Sequence, residues 1–223
     1  MRPFDLTPQI DRLVRAGMPG IQRMTEDVYR KLWPATVEAP AKHAGRFDRV
    51  LCVDAFPLYP MHTAVDRGSR RVTLPVRLVP LPSAAKPMTF AFTDDAAPLD
   101  PIEDPRGRGP LVRYVIFWQA GERWKARSPN AMRSRFDADE CGLHLNEALH
   151  LALQEEALLK ARRIPLAAHM DARGETWFAH WEHGRSPSFT PGFGMFAELE
   201  GVPSRAKEVI PVSTEDQDFF LKG

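Results

Sequence analysis

Cysteine is nearly missing from this chain: Cys52 and Cys141 are the two thiols in 223 residues. Two thiols cannot build the several bridges that hold small secreted scaffolds together. Long hydrophobic runs are missing as well. The densest apolar stretch is Tyr114 to Trp118, far short of the roughly 18 apolar residues that cross a membrane. The opening Met1-Arg2-Pro3-Phe4-Asp5 carries no apolar core of a secretory signal. A bulk excess of either charge is also lacking. The formal net charge of +1 excludes the strong uniform field of a dedicated nucleic-acid or membrane-surface binder. These absences predict a cytoplasmic protein with no membrane partner and no strong pull on nucleic acid.

Recognisable catalytic signatures are absent too. There is no Gly-x-x-x-x-Gly-Lys phosphate loop and no Gly-x-Gly-x-x-Gly after a strand. There is no Gly-x-Ser-x-Gly elbow and no Cys-x-x-Cys pair. The sequence therefore leaves open whether the protein is an enzyme, and it calls for no cofactor and no metal.

What is present is ordinary in bulk and unusual in proline. Hydrophobic residues make up 43% and charged residues 26%, which fits a globular chain with its own core. Proline occurs 21 times, almost twice the usual share of about 5%. The prolines punctuate many short elements, which favours an α+β fold over a helical bundle. We expect one domain over 1–223, a mainly antiparallel sheet carrying N-terminal helices and one longer helix. A polar loop rich in proline and aspartate spans about 94–110.

Local chemistry supplies the elements. Thr7 as cap, Pro8 in the first turn and Ile10, Leu13 and Val14 on one face predict a helix that stops at Gly17. Thr25 followed by Glu26 and Asp27 starts another, ending at Pro34. Strands are expected over 50–56, over 72–81 as a proline-bearing edge, over 88–92 and over 111–118. The 111–118 strand is expected to form a hairpin with 122–127 through Gln119-Ala120-Gly121. A short helix follows Ser128-Pro129, and Cys141 falls in a loop. A longer helix runs from 143 to 160, with Leu145, Ala148, Leu149, Ala152 and Leu159 inward. A second hairpin joins 165–170 to 175–181, and a last strand covers 195–199. Gly192 and Gly194 read as a turn feeding that strand.

Three constellations could carry chemistry. Between 105 and 135 eight basic residues face Glu122 alone. On a strand over 122–127, Arg123, Lys125 and Arg127 share one face. With Arg133 they could clamp an anion or a phosphate backbone. His144, Glu147 and His150 lie at i, i+3, i+6, which spreads the two histidines by about 120° around a helix. That is poor geometry for zinc, so the reading is a solvated polar face. His180 and His183 on a strand point to opposite sides. Cys141 near His144 could make a nucleophile only with converging geometry. At the end of the chain the acidic run before Phe219, Phe220 and Leu221 has the form of a docking peptide for a protein partner.

The run Gln9-Ile10-Asp11-Arg12-Leu13 to Ala16-Gly17-Met18-Pro19 resembles the first helix of an uncharacterised bacterial domain family. The order Ile116-Phe117, Ser128-Pro129-Asn130-Ala131, then Leu143-His144-Leu145-Asn146-Glu147-Ala148-Leu149 and a strand pair near Trp177 and Trp181 is similar to its later half. The resemblance covers 4–33 and 111–195. It implies a bacterial cytoplasmic protein and brings no activity or catalytic residues. From the sequence, the leading reading is a binding or protein-interaction module. The alternatives are an enzyme acting on a small or phosphorylated anion held by the Arg/Lys cluster, and a weak nucleic-acid binder. The oligomeric state is open.

Overall fold

A computed structural model describes residues 3–43, 45–54, 71–77, 87–92, 113–125, 131–132, 134–170, 176–182, 186–192 and 201–212. The fold is α+β, as the punctuation predicts. Helix α1 spans Thr7–Arg15, α2 Met18–Ile21 and α3 Glu26–Lys31. Thr25 caps α3 by accepting from the Val28 amide, and Glu26 and Asp27 sit where the helix dipole favours them. At α1 the capping differs from expectation. Thr7 is already helical, and its amide donates to Asp5 Oδ1 at 2.9 Å. Ile10 and Leu13 are buried as the 3.6-residue period requires. Strands β1 (Phe4–Asp5) and β2 (Thr36–Val37) pair on either side of these helices.

A central sheet is built on β6 (Tyr114–Gln119), all six residues of which are buried. One edge of β6 pairs antiparallel with β3 (Arg49–Val53), from Arg49 opposite Trp118 to Val53 opposite Tyr114. The other edge takes β12 (Ile210–Pro211) at Val115 and β11 (Ser204–Ala206) at Gln119. Strand β7 (Glu140–Gly142) then pairs with β11. Burial on both faces explains why β6 reads as a continuous apolar run and not as an alternation.

A second sheet has the order β4-β5-β10-β9-β8, with β4 Arg71–Arg77, β5 Pro87–Phe92, β8 Ile164–Met170, β9 Thr176–Glu182 and β10 Ser186–Gly192. All its pairs are antiparallel except β5 with β10. The edge position of β4 suits Pro75, which has no N–H to give a ladder. The two sheets meet where Gly142 lies against β8. A Cβ there would stand 2.4 Å from the Ala168 nitrogen.

Several expectations need correction. The strand expected over 122–127 does not form over its described residues, 122–125. Residues Glu122–Trp124 make a 3₁₀ turn, and the partners of β6 come from distant segments. Gly121 holds φ 107° against the backbone of Gly201, and a Cβ on Gly201 would lie 2.0 Å from the Gly121 oxygen. This close crossing turns the chain away from the hairpin path. The 143–160 helix is two helices, α4 (Leu145–Gln154) and α5 (Glu156–Ala161), separated by a non-helical Glu155. At the break, the Gln154 carbonyl accepts from the Arg12 guanidinium and not from the next helical turn. Cys141 lies in β7, not in a loop. Gly192, read as part of a turn, is the last residue of β10, and Gly194 lies outside the described residues. The expected strand over 195–199 and the loop over 94–110 lie outside the described residues.

Candidate functional site

Helix α4 carries the sequence Leu-Asn-Glu-Ala-Leu-His-Leu-Ala-Leu-Gln, apolar on nearly every face. Such a helix belongs inside a protein, and its three long polar side chains go inside with it. Glu147, His150 and Gln154 fall at i, i+3, i+7 and are all buried. The expectation of a solvated polar face is therefore wrong for Glu147 and His150. The signal was the poverty of charge around them.

The row faces the edge of β3 that lies away from β6, an edge that takes no strand among the described residues. Period two points the backbone groups of Val50, Cys52 and Asp54 away from β6, and side chains receive them. Gln9 of α1 donates to the Val50 carbonyl at 2.5 Å and accepts from the Cys52 amide at 2.9 Å. Gln154 donates to the Cys52 carbonyl at 2.7 Å. His150 Nε2 accepts from the Asp54 amide at 2.9 Å. An edge that could pair with another chain is thus closed by three side chains.

The His150 ring is used at both ends, since Nδ1 donates to the Asn146 carbonyl at 2.9 Å. This fixes the neutral ring with its proton on Nδ1. Burial pushes its pKa down to about 4, with the Asn146 bond acting weakly the other way. At neutral pH the ring has neither a free lone pair nor a charge.

Two buried ion pairs flank this row. Arg113 Nε lies 2.9 Å from Asp54 Oδ1, and both side chains are almost fully enclosed. Tyr29 donates to Asp54 Oδ2 at 2.8 Å, and Arg113 also reaches Gln22 at 3.3 Å. Burial, then the Asp54 charge, holds the Tyr29 phenol well above its ordinary pKa. Across the sheet, Arg205 of β11 meets Glu147 at 2.7 Å, while Glu147 Oε2 accepts from the His144 amide at 2.8 Å. Arg205 also donates to the Ala206 carbonyl at 2.7 Å. Burial works against its charge, and Glu147 beside it keeps its pKa above the ordinary arginine value. Residues 203–212 carried no motif, so the sequence reading missed Arg205; it also missed Asp54 as a partner of Arg113, and Tyr29, because nothing local links them.

The sequence-predicted anion residues go elsewhere. Arg123 pairs with Asp137 at 2.7 Å and Glu140 at 3.2 Å, and lies over the Trp124 ring. Lys125 pairs with its near neighbour Glu122. The common strand face that would bring them together is not formed, and both already have carboxylate partners. Arg127 and Arg133 lie outside the described residues, as do Phe219, Phe220, Leu221 and His183. Cys141 has no thiolate character, because burial pushes its thiol up to about 11. Burial also raises Cys52 far above the ordinary thiol. Among the described residues, no group of three or more His, Cys, Asp or Glu is arranged to hold a metal ion, and no helix is long and apolar enough to cross a membrane.

The rim of the central sheet holds a further network. Glu140 accepts from Trp124 Nε1 at 3.0 Å and from the Ser204 hydroxyl. Gln119 donates to Ser204 Oγ at 2.7 Å. Arg46 holds both carboxylate oxygens of Asp139 at 2.9 Å and reaches Asp137 at 2.8 Å. Compared with protein-family models, curated proteins and solved structures, the chain matches none.

Proposed function

We propose that this chain is a cytoplasmic protein-interaction module, engaging its partner through the acidic-aromatic end that contains Phe219, Phe220 and Leu221. One observation carries the reading. In the row beside β3, the buried polar side chains with catalytic potential are tied to partners across the core. Asp54 serves Arg113 and Tyr29, Glu147 serves Arg205, and both nitrogens of His150 are engaged. A general base needs a free lone pair near its operating pH, and a nucleophile needs a base beside it. These residues brace the fold instead, which suits a rigid platform for another protein.

The test is affinity capture from source-cell lysate with the full chain, beside a chain carrying Phe219→Ala, Phe220→Ala and Leu221→Ala. The reading expects a protein partner held by the first and lost by the second. Recovery of no protein above background, or equal recovery by both chains, overturns it. Turnover of a phosphorylated small molecule that disappears in Arg127→Ala or Arg133→Ala would replace it with the enzyme reading.

A further inference from the structure

His43 ends the short 3₁₀ turn Ala41–His43 and has no exposed surface. Neither ring nitrogen has a hydrogen-bond partner among the described residues. Two carboxylates from other parts of the chain nevertheless face it. Asp139, in the turn before β7, lies 3.5 Å from Nδ1, and Glu208, between β11 and β12, lies 3.8 Å from Nε2. Both are already held by cations, Asp139 by Arg46 and Glu208 by Lys42 at 2.5 Å. Phe47 packs against the ring with centroids 5.4 Å apart. Among the described residues, the charged groups facing His43 are therefore Asp139, Glu208, Lys42 and Arg46.

We propose that His43 is a proton-sensitive clasp: its neutral ring wedges the 41–43 turn between Asp139 and Glu208, and proton uptake releases that turn. A neutral ring in this slot leaves a buried N–H and a buried lone pair unsatisfied, so the closed state is held with little margin. A proton adds charge where no water reaches and where both carboxylates stand beyond hydrogen-bond length with cations of their own. Opening the turn hydrates the imidazolium and lets it approach either carboxylate. Burial is the largest influence on the His43 pKa and lowers it; Asp139 and Glu208 raise it, Lys42 and Arg46 lower it, and the net shift is downward. The open state thus binds the proton more readily, and falling pH favours opening.

Amide hydrogen exchange on the full chain tests this. The reporting amides are His43, bonded to the Pro40 carbonyl, Arg46, bonded to the His43 carbonyl, and Lys207, bonded to the Asp139 carbonyl. After correction for intrinsic rates, their exchange should rise by about threefold or more between about pH 7.5 and about pH 5. His43→Gln should remove that rise. Persistence of the rise in His43→Gln overturns the clasp. An imidazole titration followed by NMR on the unsubstituted protein decides independently of how that variant folds. A His43 midpoint below the ordinary 6.5 supports the clasp, and a midpoint at or above it overturns it.

Discussion

Arg113 and Arg123 present the same guanidinium to the same kind of partner in opposite settings. The Arg113 side chain is 4% exposed and its partner Asp54 not at all, whereas Arg123 and Asp137 are 37% and 45% exposed. In the core, two charges give up their water and depend on each other, so removing one strands the other. At the rim, water and salt screen the Arg123–Asp137 pair, and Asp137 can leave at small cost. The lesson is that proximity of opposite charges does not rank interactions in this protein; desolvation does.

The comparison breaks most visibly at Arg113. Arg113→Met should leave Asp54 buried beside Tyr29 and cost about 3–5 kcal/mol, read as a large drop in the urea midpoint. Arg205→Met should do the same to Glu147. A loss no larger than that of a rim substitution would show that water reaches the core pairs.

Acid probes the same interior through His150. Its folded pKa is about 4, below the ordinary value of about 6.5. The unfolded chain takes up the proton first, so the contribution is whole above about pH 6.5 and disappears as pH falls to about 4. The shift corresponds to about 3 kcal/mol. Urea unfolding across that window should show the decline, and His150→Gln should flatten it.

The closed edge of β3 stands between the two regimes, being buried but neutral. Gln9→Ala strands the Cys52 amide and leaves the Val50 carbonyl to Trp118 Nε1 at 3.3 Å, for a cost of about 1–3 kcal/mol in the same unfolding assay. The smallest effect belongs to Lys125, which among the described residues reaches only the exposed Glu122. Lys125→Ala should leave the urea midpoint unchanged at moderate salt.

Much of the architecture was legible because it is local. Thr25 caps α3 through a bond to a residue three positions on, and Pro75 bars β4 from the middle of a sheet. The antiparallel pairing of β8 with β9 follows from two strand patterns that lie close together in sequence. The 122–127 strand failed for the opposite reason, since β6 found better partners in β3, β11 and β12, far away in sequence. His144, Glu147 and His150 could be rejected as a zinc set from helix geometry alone. That two of them are buried depended on which face of α4 meets the sheet.

By itself, the sequence determined the class of the fold and the positions of its stops, because caps, prolines and periodicity act within a few residues. It also excluded a disulfide scaffold, since two thiols are too few. Only the tertiary structure decided what the charged and polar residues do. Asp54 is 59 residues from Arg113, Glu147 is 58 from Arg205, and Gln9 is more than 40 from the strand it closes. Such pairings have no local signature. They arise because burial removes water from whatever polar groups the packing brings together, and those groups must then satisfy one another.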